Sequence, residues 1–338
     1  MRDLIVVGGG PVGLAVALGA ARAGLDVAVV ERRTGAIDKA CGEGLMPGAI
    51  TRLAALGVHP EGHPLTGIRY VDGDHRAEAS FRSGVGLGVR RTTLHAALSE
   101  AAAAAGVVTL HRSVTHVDDA GDRVLVDGEP ARYLVAADGL HSPVRRMLGL
   151  DQPRHRQRRY GQRCHFAAAP WTSFVEVHWA EVGEAYVTPV SEDQVGVAVL
   201  SESRRGFDDL LSCFPEIVDR LAGAAPTRVL GAGPLRQRSR RRSSGRVLLV
   251  GDAAGYVDAL TGEGIAVGLA QASAAVAAVA ADDPARYEAS SRKLSRRHEL
   301  LTQGLLGATA HPRLRRRLVP SAAALPWVFD SVVNQLAG

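Results

Sequence analysis

Near the start of the chain, Gly8, Gly10 and Gly13 stand at G-x-G-x-x-G spacing, with Pro11 and Val12 inside the run and Glu31 further on. Glycine at the first position permits a tight turn, and at the second it lets a pyrophosphate reach the backbone. The free N–H groups and positive end of the following helix then hold that anion. A carboxylate at Glu31 stands where it accepts hydrogen bonds from ribose hydroxyls, and Arg32 follows it. The pattern predicts dinucleotide binding without choosing between NAD, NADP and FAD.

Such a turn needs a buried strand before it and a helix behind it. Leu4-Ile5-Val6-Val7 reads as the strand, residues 14–23 as the helix, and residues 27–31 as the next parallel strand. Ala17 is small where helix and sheet must approach. Further along, 67–71 and 76–82 alternate as a hairpin, 92–105 reads as a helix, and short strands follow at 107–110, 114–117, 123–126 and 133–136. Longer alternating strands at 161–168, 174–180, 185–190 and 195–200 read, with the hairpin, as one antiparallel sheet. A helical segment over 207–222, a strand over 246–250 and helices over 265–281 and 286–306 complete the pattern.

Two of these strands deliver further motifs. One ends in Asp138-Gly139, with Ser142 and Arg145 after it, and resembles the D-G-x-x-S-x-x-R motif of flavoproteins of the aromatic-hydroxylase, para-hydroxybenzoate-hydroxylase type. The other ends in Gly251-Asp252 and resembles that family's second FAD fingerprint. With the glycine turn they come in the family's order, so the resemblance covers nearly the whole chain. It implies a Rossmann-like, parallel-sheet α/β FAD-binding domain carrying an inserted antiparallel-sheet substrate domain. The FAD domain would comprise 1–66, 84–155 and 230–310, the substrate domain 67–83 and 156–229, and 311–338 a helical tail.

The resemblance makes FAD the cofactor and assigns Arg91, Val114, Cys41 and Gly42 to it. Asp252 would accept from a ribityl hydroxyl. Gly262, Glu263, Gly264 and Ile265 open a helix whose positive end would face the flavin pyrimidine and stabilise the anionic reduced ring. A single G-x-G-x-x-G unit suits NAD(P)H as a transient electron donor without a domain of its own.

The run over 38–48, in an Ala- and Arg-rich chain, resembles flavoproteins that tailor polyketides and phenolic lipids. The expected reaction is accordingly monooxygenation of a phenolic or resorcinol-like ring through a flavin C4a-hydroperoxide. Tyr186 and Thr188 share one face of a strand near the flavin. His165 or Cys164 lies on a neighbouring strand, and His165 could deprotonate a phenol. Cys41 is a third candidate catalytic residue. Ala259 and Ala266 depart from the hydroxylase pattern, whereas Cys41-Gly42-Glu43-Gly44 and 261–265 look like the geranylgeranyl-reductase branch. Reduction of an alkene in a lipid or isoprenoid is the alternative, and a non-catalytic flavin carrier a third reading.

Composition is consistent with a small-molecule enzyme. The 338 residues are 46% hydrophobic with net charge +5, and no stretch has the unbroken apolar length of a membrane span. Three dispersed cysteines argue against a disulfide framework or a metal cluster and favour a cytoplasmic setting. The arginines at 236, 238 and 240–242, and at 313 and 315–317, could meet anionic lipid, so peripheral membrane contact is open; no nucleic-acid partner is expected. Asp252→Ala should remove a charge-assisted hydrogen bond and weaken FAD retention by about 1.5–3 kcal/mol, measured by flavin release on dilution. Unchanged retention would mean that the second fingerprint is misread.

Overall fold

The computed structural model describes residues 1–152 and 158–338. A central sheet holds the first motif. Its parallel strands run in the order Val247–Leu249, Glu129–Ala136, Arg2–Val7, Val27–Val30, Val108–Leu110, with Ser243–Ser244 added antiparallel at the first edge. Leu4, Ile5 and Val6 are fully buried, as a strand covered on both faces requires. One face is covered by the helices Pro11–Arg22, Arg91–Ala104 and Gly264–Ala280. The other is covered by the antiparallel meander Val117–Asp119 and Val124–Val126 with Leu150.

Strand order reverses between Arg2–Val7 and Glu129–Ala136. In a doubly wound sheet, the crevice at the carboxyl ends of such a pair is where a ligand fits. The glycine turn leaves one of these strands and Asp138-Gly139 the other. The Pro11–Arg22 helix begins with Pro11 in its first turn, where a missing N–H costs nothing. It packs on the Gly264–Ala280 helix through small residues: a Cβ on Gly268 would fall 2.5 Å from Val12 Cγ2.

The second sheet runs Leu230–Ala232, Tyr160–Phe166, Gln194–Ser201, Gly183–Ser191, Phe174–Ala180, Gly67–Asp72, His75–Ser80. Alternation decides its faces. Cys164, Val187 and Val197 pack against Phe207, Leu210 and Ile217 on the outer face, whereas Val175, Val177, Tyr186 and Leu200 face the C-terminal helices. These are Pro284–Thr309, Pro312–Ala324 and Pro326–Ala337, and the last is tied to the hairpin by Asn334, which accepts from Arg82 N–H at 2.7 Å and donates to the Ser80 carbonyl at 2.9 Å.

Several expectations are corrected. The second sheet is not wholly antiparallel, because Phe174–Ala180 pairs parallel with Gly67–Asp72 across a long connection. Leu230–Ala232 joins that sheet through Tyr160–Phe166, so the sheet runs past 229; the expected division at 155/156 lies outside the described residues. The strand expected over 114–117 is instead Val117–Asp119. The helical stretch over 207–222 divides into Phe207–Leu211 and Pro215–Arg220, since Pro215 cannot donate to the preceding turn.

A small sheet of Gly44–Leu45, Gly86–Gly88 and His63–Leu65 packs on the Gly183–Ser191 strand of the second sheet. At its seam a Cβ on Gly88 would lie 1.7 Å from the Pro189 carbonyl oxygen. Gly88→Ala should therefore destabilise the fold by roughly 1–3 kcal/mol or more. Gly307→Ala, with open space around it inside a helix, should stabilise by about 0.5–1 kcal/mol. Denaturant unfolding of both variants checks this, and a Gly88→Ala protein as stable as the parent would contradict the seam.

Candidate active site

The glycine turn is shaped by its neighbours. Gly8 has φ 107°, and a Cβ there would strike the Ala137 carbonyl at 2.4 Å; one on Gly13 would lie 1.9 Å from the Gly8 carbonyl. Gly13 is thus packed beneath the turn, while Gly8, Gly10, Pro11 and Val12 line a large cavity. Glu31 accepts the backbone N–H groups of Gly9 and Arg33, each at 3.0 Å, which fixes its carboxylate at the cavity rim. Arg32, Arg33, Lys39 and Arg91 line the same wall.

Arg145 explains the spacing of the second motif. Ser142 Oγ accepts the Arg145 N–H at 2.9 Å and starts the short helix Pro143–Met147. The buried guanidinium then donates to the carbonyls of Leu140 at 3.0 Å and Ala253 at 2.9 Å, with Asp151 as its anionic partner. One side chain thereby locks the turn after Glu129–Ala136 to the turn after Val247–Leu249. Asp138, Gly139 and Asp252 line the cavity beside this lock, and Gly251 (φ 62°) packs on Val12 beneath it.

The third wall is the loop over 38–48. Glu43, in the left-handed region at φ 59°, is buried and accepts the Arg91 N–H at 2.7 Å. Its other oxygen lies 2.5 Å from His165 Nε2. Arg163 Nη1 sits 2.9 Å from His165 Nδ1, so Nδ1 accepts and Nε2 carries the proton toward Glu43. Gly196 makes room for the pair, since a Cβ there would lie 3.2 Å from Glu43 Oε2.

This corrects the role expected of His165. It is fully buried with both ring nitrogens engaged, and it does not line the cavity. Cys164 points to the outer face, against Thr227. Glu263 is corrected too: its carboxylate turns from the cavity to His298 Nδ1 at 3.0 Å, whereas Gly262, Gly264 and Ile265 do line it. Arg91 faces the cavity, whereas its neighbour Arg90 turns to Gln194 at 2.7 Å. Cys41, Gly42, Val114, Tyr186 and Thr188 line the cavity as well.

Burial shifts the charges along this wall. Asp252 is raised by desolvation against the pull of Lys39, Arg91 and Arg145, and its carboxylate has no hydrogen-bond partner among the described residues. Asp138 is likewise raised by burial; its Oδ2 accepts from Val144 N–H at 3.0 Å, while Oδ1 is buried without a partner. Desolvation lowers Arg91 and raises Cys41, so the Cys41 thiol is held in its protonated form. A ligand with hydroxyls to donate and a diphosphate to be neutralised satisfies Glu31, Asp138, Asp252 and the cationic wall together. The cavity, about 1320 Å³, exceeds the roughly 300–1,000 Å³ of ordinary small-molecule sites and has room for a dinucleotide and a second molecule.

The sequence profile described as "FAD binding domain" matches residues 1–294. The chain belongs to this FAD-binding family. FAD is therefore its cofactor, and the protein is a flavin-dependent oxidoreductase. Among curated proteins it is 32% identical to the menaquinone reductase of Mycobacterium tuberculosis over 306 residues, covering 79% of this chain and 74% of that one. It is 28% identical to digeranylgeranylglycerophospholipid reductase 1 of Methanothermobacter thermautotrophicus, covering 79% and 74%. Among solved structures, p-nitrophenol 4-monooxygenase from Pseudomonas putida shares the fold at TM-score 0.83 and 18% identity, covering 100% of this chain and 98% of that one.

Sequence reasoning missed Lys39 in the flavoprotein's cationic wall and an acidic cluster behind Tyr186. The Tyr186 hydroxyl donates to the Leu260 carbonyl at 2.8 Å. On the same strand Glu184 is paired with Arg159, which also lies 3.2 Å from Asp258. Two buried carboxyls thus share one guanidinium, and desolvation raises Glu184 from an ordinary value of 4.5 to about 7 despite Arg159. Alternation of the strand and the loop turn of Asp258 carried the only signal for this cluster.

A carboxyl raised on folding makes the folded chain bind more protons than the unfolded one between pH 4.5 and about 7. Its contribution to stability is therefore full below that window and declines as pH rises through it. Unfolding free energies at pH 5 and pH 8 should differ less in Glu184→Gln than in the parent. An equal difference would show that Glu184 is not the raised group.

Proposed function

We propose that this flavoprotein is a reductase that saturates a carbon–carbon double bond in a long apolar substrate of isoprenoid or lipid type. The observation that carries this reading is the second arm of the cavity. Beyond Tyr186 it continues between the Gly183–Ser191 sheet and the C-terminal helices, where Leu301, Leu305, Leu318, Phe329 and Val333 line it. Such walls hold an extended hydrocarbon and exclude water; a phenol the size of one ring would leave most of them bare. The named substrates of the menaquinone and digeranylgeranylglycerophospholipid reductases, similar along most of their length, support the same choice.

Hydroxylation, the reaction expected from the sequence, finds less support. His165, the candidate for deprotonating a phenol, is sealed behind Glu43, and the likeness to p-nitrophenol 4-monooxygenase is one of fold.

Within this reading each residue has a task. The glycine turn, Glu31, Asp138 and Asp252 hold FAD, with Arg91, Val114, Gly42, Gly262, Gly264 and Ile265 along it. Held by these residues and reduced by NAD(P)H, the donor typical of the family, bound FAD would supply the hydride chemistry for one alkene carbon. The other carbon would take its proton from the Cys41 thiol, which burial keeps protonated at the cavity wall, and the thiolate left behind would regain a proton from solvent once the product has left. The Glu43–His165–Arg163 network positions the loop that carries Cys41. Tyr186 and Thr188 orient the chain of the substrate on the sheet face.

With NAD(P)H under argon, kcat/KM for alkene reduction should climb with substrate chain length by roughly tenfold or more per five-carbon unit until the apolar arm is filled. A flat series, or preference for single-ring phenols, would overturn the assignment. Cys41→Ala should lower kcat by about 10²-fold with FAD still bound. An unchanged kcat would remove Cys41 from proton transfer.

A further inference from the structure

The C-terminal helices that roof the apolar arm are unlike the rest of the surface. Residues 292–338 hold eight Lys or Arg against two Asp or Glu, a net +6. The whole chain holds 40 against 35, so the other 291 residues hold 32 against 33 and are net −1. The whole of the protein's net positive charge resides in this C-terminal segment. The same segment concentrates exposed apolar side chains: of thirteen large ones exposed among the described residues, seven lie between Leu294 and Val332. Trp327 is 71% exposed and Leu300 59%.

Four of the seven, Leu300, Leu325, Val328 and Val332, also line the cavity. The apolar arm therefore opens to the outside through this patch. Helical spacing places the charges at its edge. Leu314 continues the stripe of Leu318, Ser321 and Leu325 on the lining face, with Arg313 and Arg317 beside it; Arg297 precedes Leu301 and Gly304 on theirs. Glu299 and Asp330, the only acids of the segment, are already paired with Arg242 and Arg82. No helix among the described residues is long and apolar enough to cross a membrane.

We propose that this face docks on an anionic lipid bilayer, with Trp327 and Leu314 inserted at the headgroup level and Arg313 and Arg317 on lipid phosphates. An apolar face of exposed Trp and Leu rimmed by arginine is what an interfacial helix presents to such a surface. The cavity mouth then opens at the depth of the acyl chains, and the substrate passes from bilayer to flavin without crossing water. This rests on the long apolar substrate proposed above, but its test does not.

Holoenzyme should sediment with vesicles of phosphatidylcholine and phosphatidylglycerol at 7:3, and at least tenfold less with phosphatidylcholine alone or in 1 M salt. Anionic vesicles should also shift its Trp emission to the blue, and Trp327→Ala should abolish that shift. Arg313→Glu with Arg317→Glu, and separately Leu314→Ser with Trp327→Ser, should each cut vesicle binding at least tenfold while bound FAD and its reduction by NAD(P)H stay at parent levels. Absence of binding to anionic vesicles, or binding that neither pair of substitutions alters, overturns the proposal. So does a dimer by light scattering that Leu314→Ser with Trp327→Ser dissolves, since a second copy would then own the patch. Vesicle binding without alkene reduction would leave docking intact and defeat the reductase reading; the converse result would do the opposite.

Discussion

The site depends most on one buried guanidinium. Arg145 has almost no contact with solvent, and its donors are divided between the carbonyls of Leu140 and Ala253, which belong to turns far apart in sequence. A charge in that position is tolerable only because every direction is answered, with Asp151 supplying the counter-charge. The consequence is geometric. The turns that present Asp138 and Asp252 are held in one fixed relation at the reversal point of the sheet.

A second buried arrangement performs the same service for the loop that walls the cavity. Glu43 ties the loop over 38–48 to the start of the Arg91–Ala104 helix and, through His165 and Arg163, to the second sheet. Three otherwise independent pieces of chain meet at one carboxylate, and Gly196 exists to admit it. The sheet face beyond is apolar because alternation sends its polar neighbours elsewhere, and the C-terminal helices close it. Holding FAD and shaping the second arm are thus separate structural tasks performed by separate parts of the chain.

What could be read in the sequence follows that division. Gly8, Gly13, Gly139 and Gly251 were legible because each answers a backbone constraint that few other residues satisfy, a positive φ at Gly8, Gly139 and Gly251 or a close approach at Gly13, while Asp138 and Asp252 stood out as carboxylates at strand ends. Strand alternation likewise revealed the second sheet and the shared face of Tyr186 and Thr188. The face of His165 was not legible, because a strand's period does not say which side meets the cavity. The apolar arm was hidden for a similar reason: the tail helices are amphipathic, but nothing local names the surface they cover. Glu263 misled because its residue type suits a cofactor, while His298, which claims its carboxylate, lies 35 residues away.

A reductase of the kind proposed delivers hydrogen, not oxygen, to a carbon–carbon double bond through the flavin and the apolar arm together. The most direct measurement is a single turnover. Holoenzyme reduced under argon is mixed with one equivalent of a polyprenyl lipid, and the product mass and flavin absorbance are followed together. The expected product is heavier by two hydrogens and forms as the oxidised flavin spectrum returns, with no oxygen present. The proposal fails if nothing forms until oxygen is admitted and the product is then heavier by one oxygen atom.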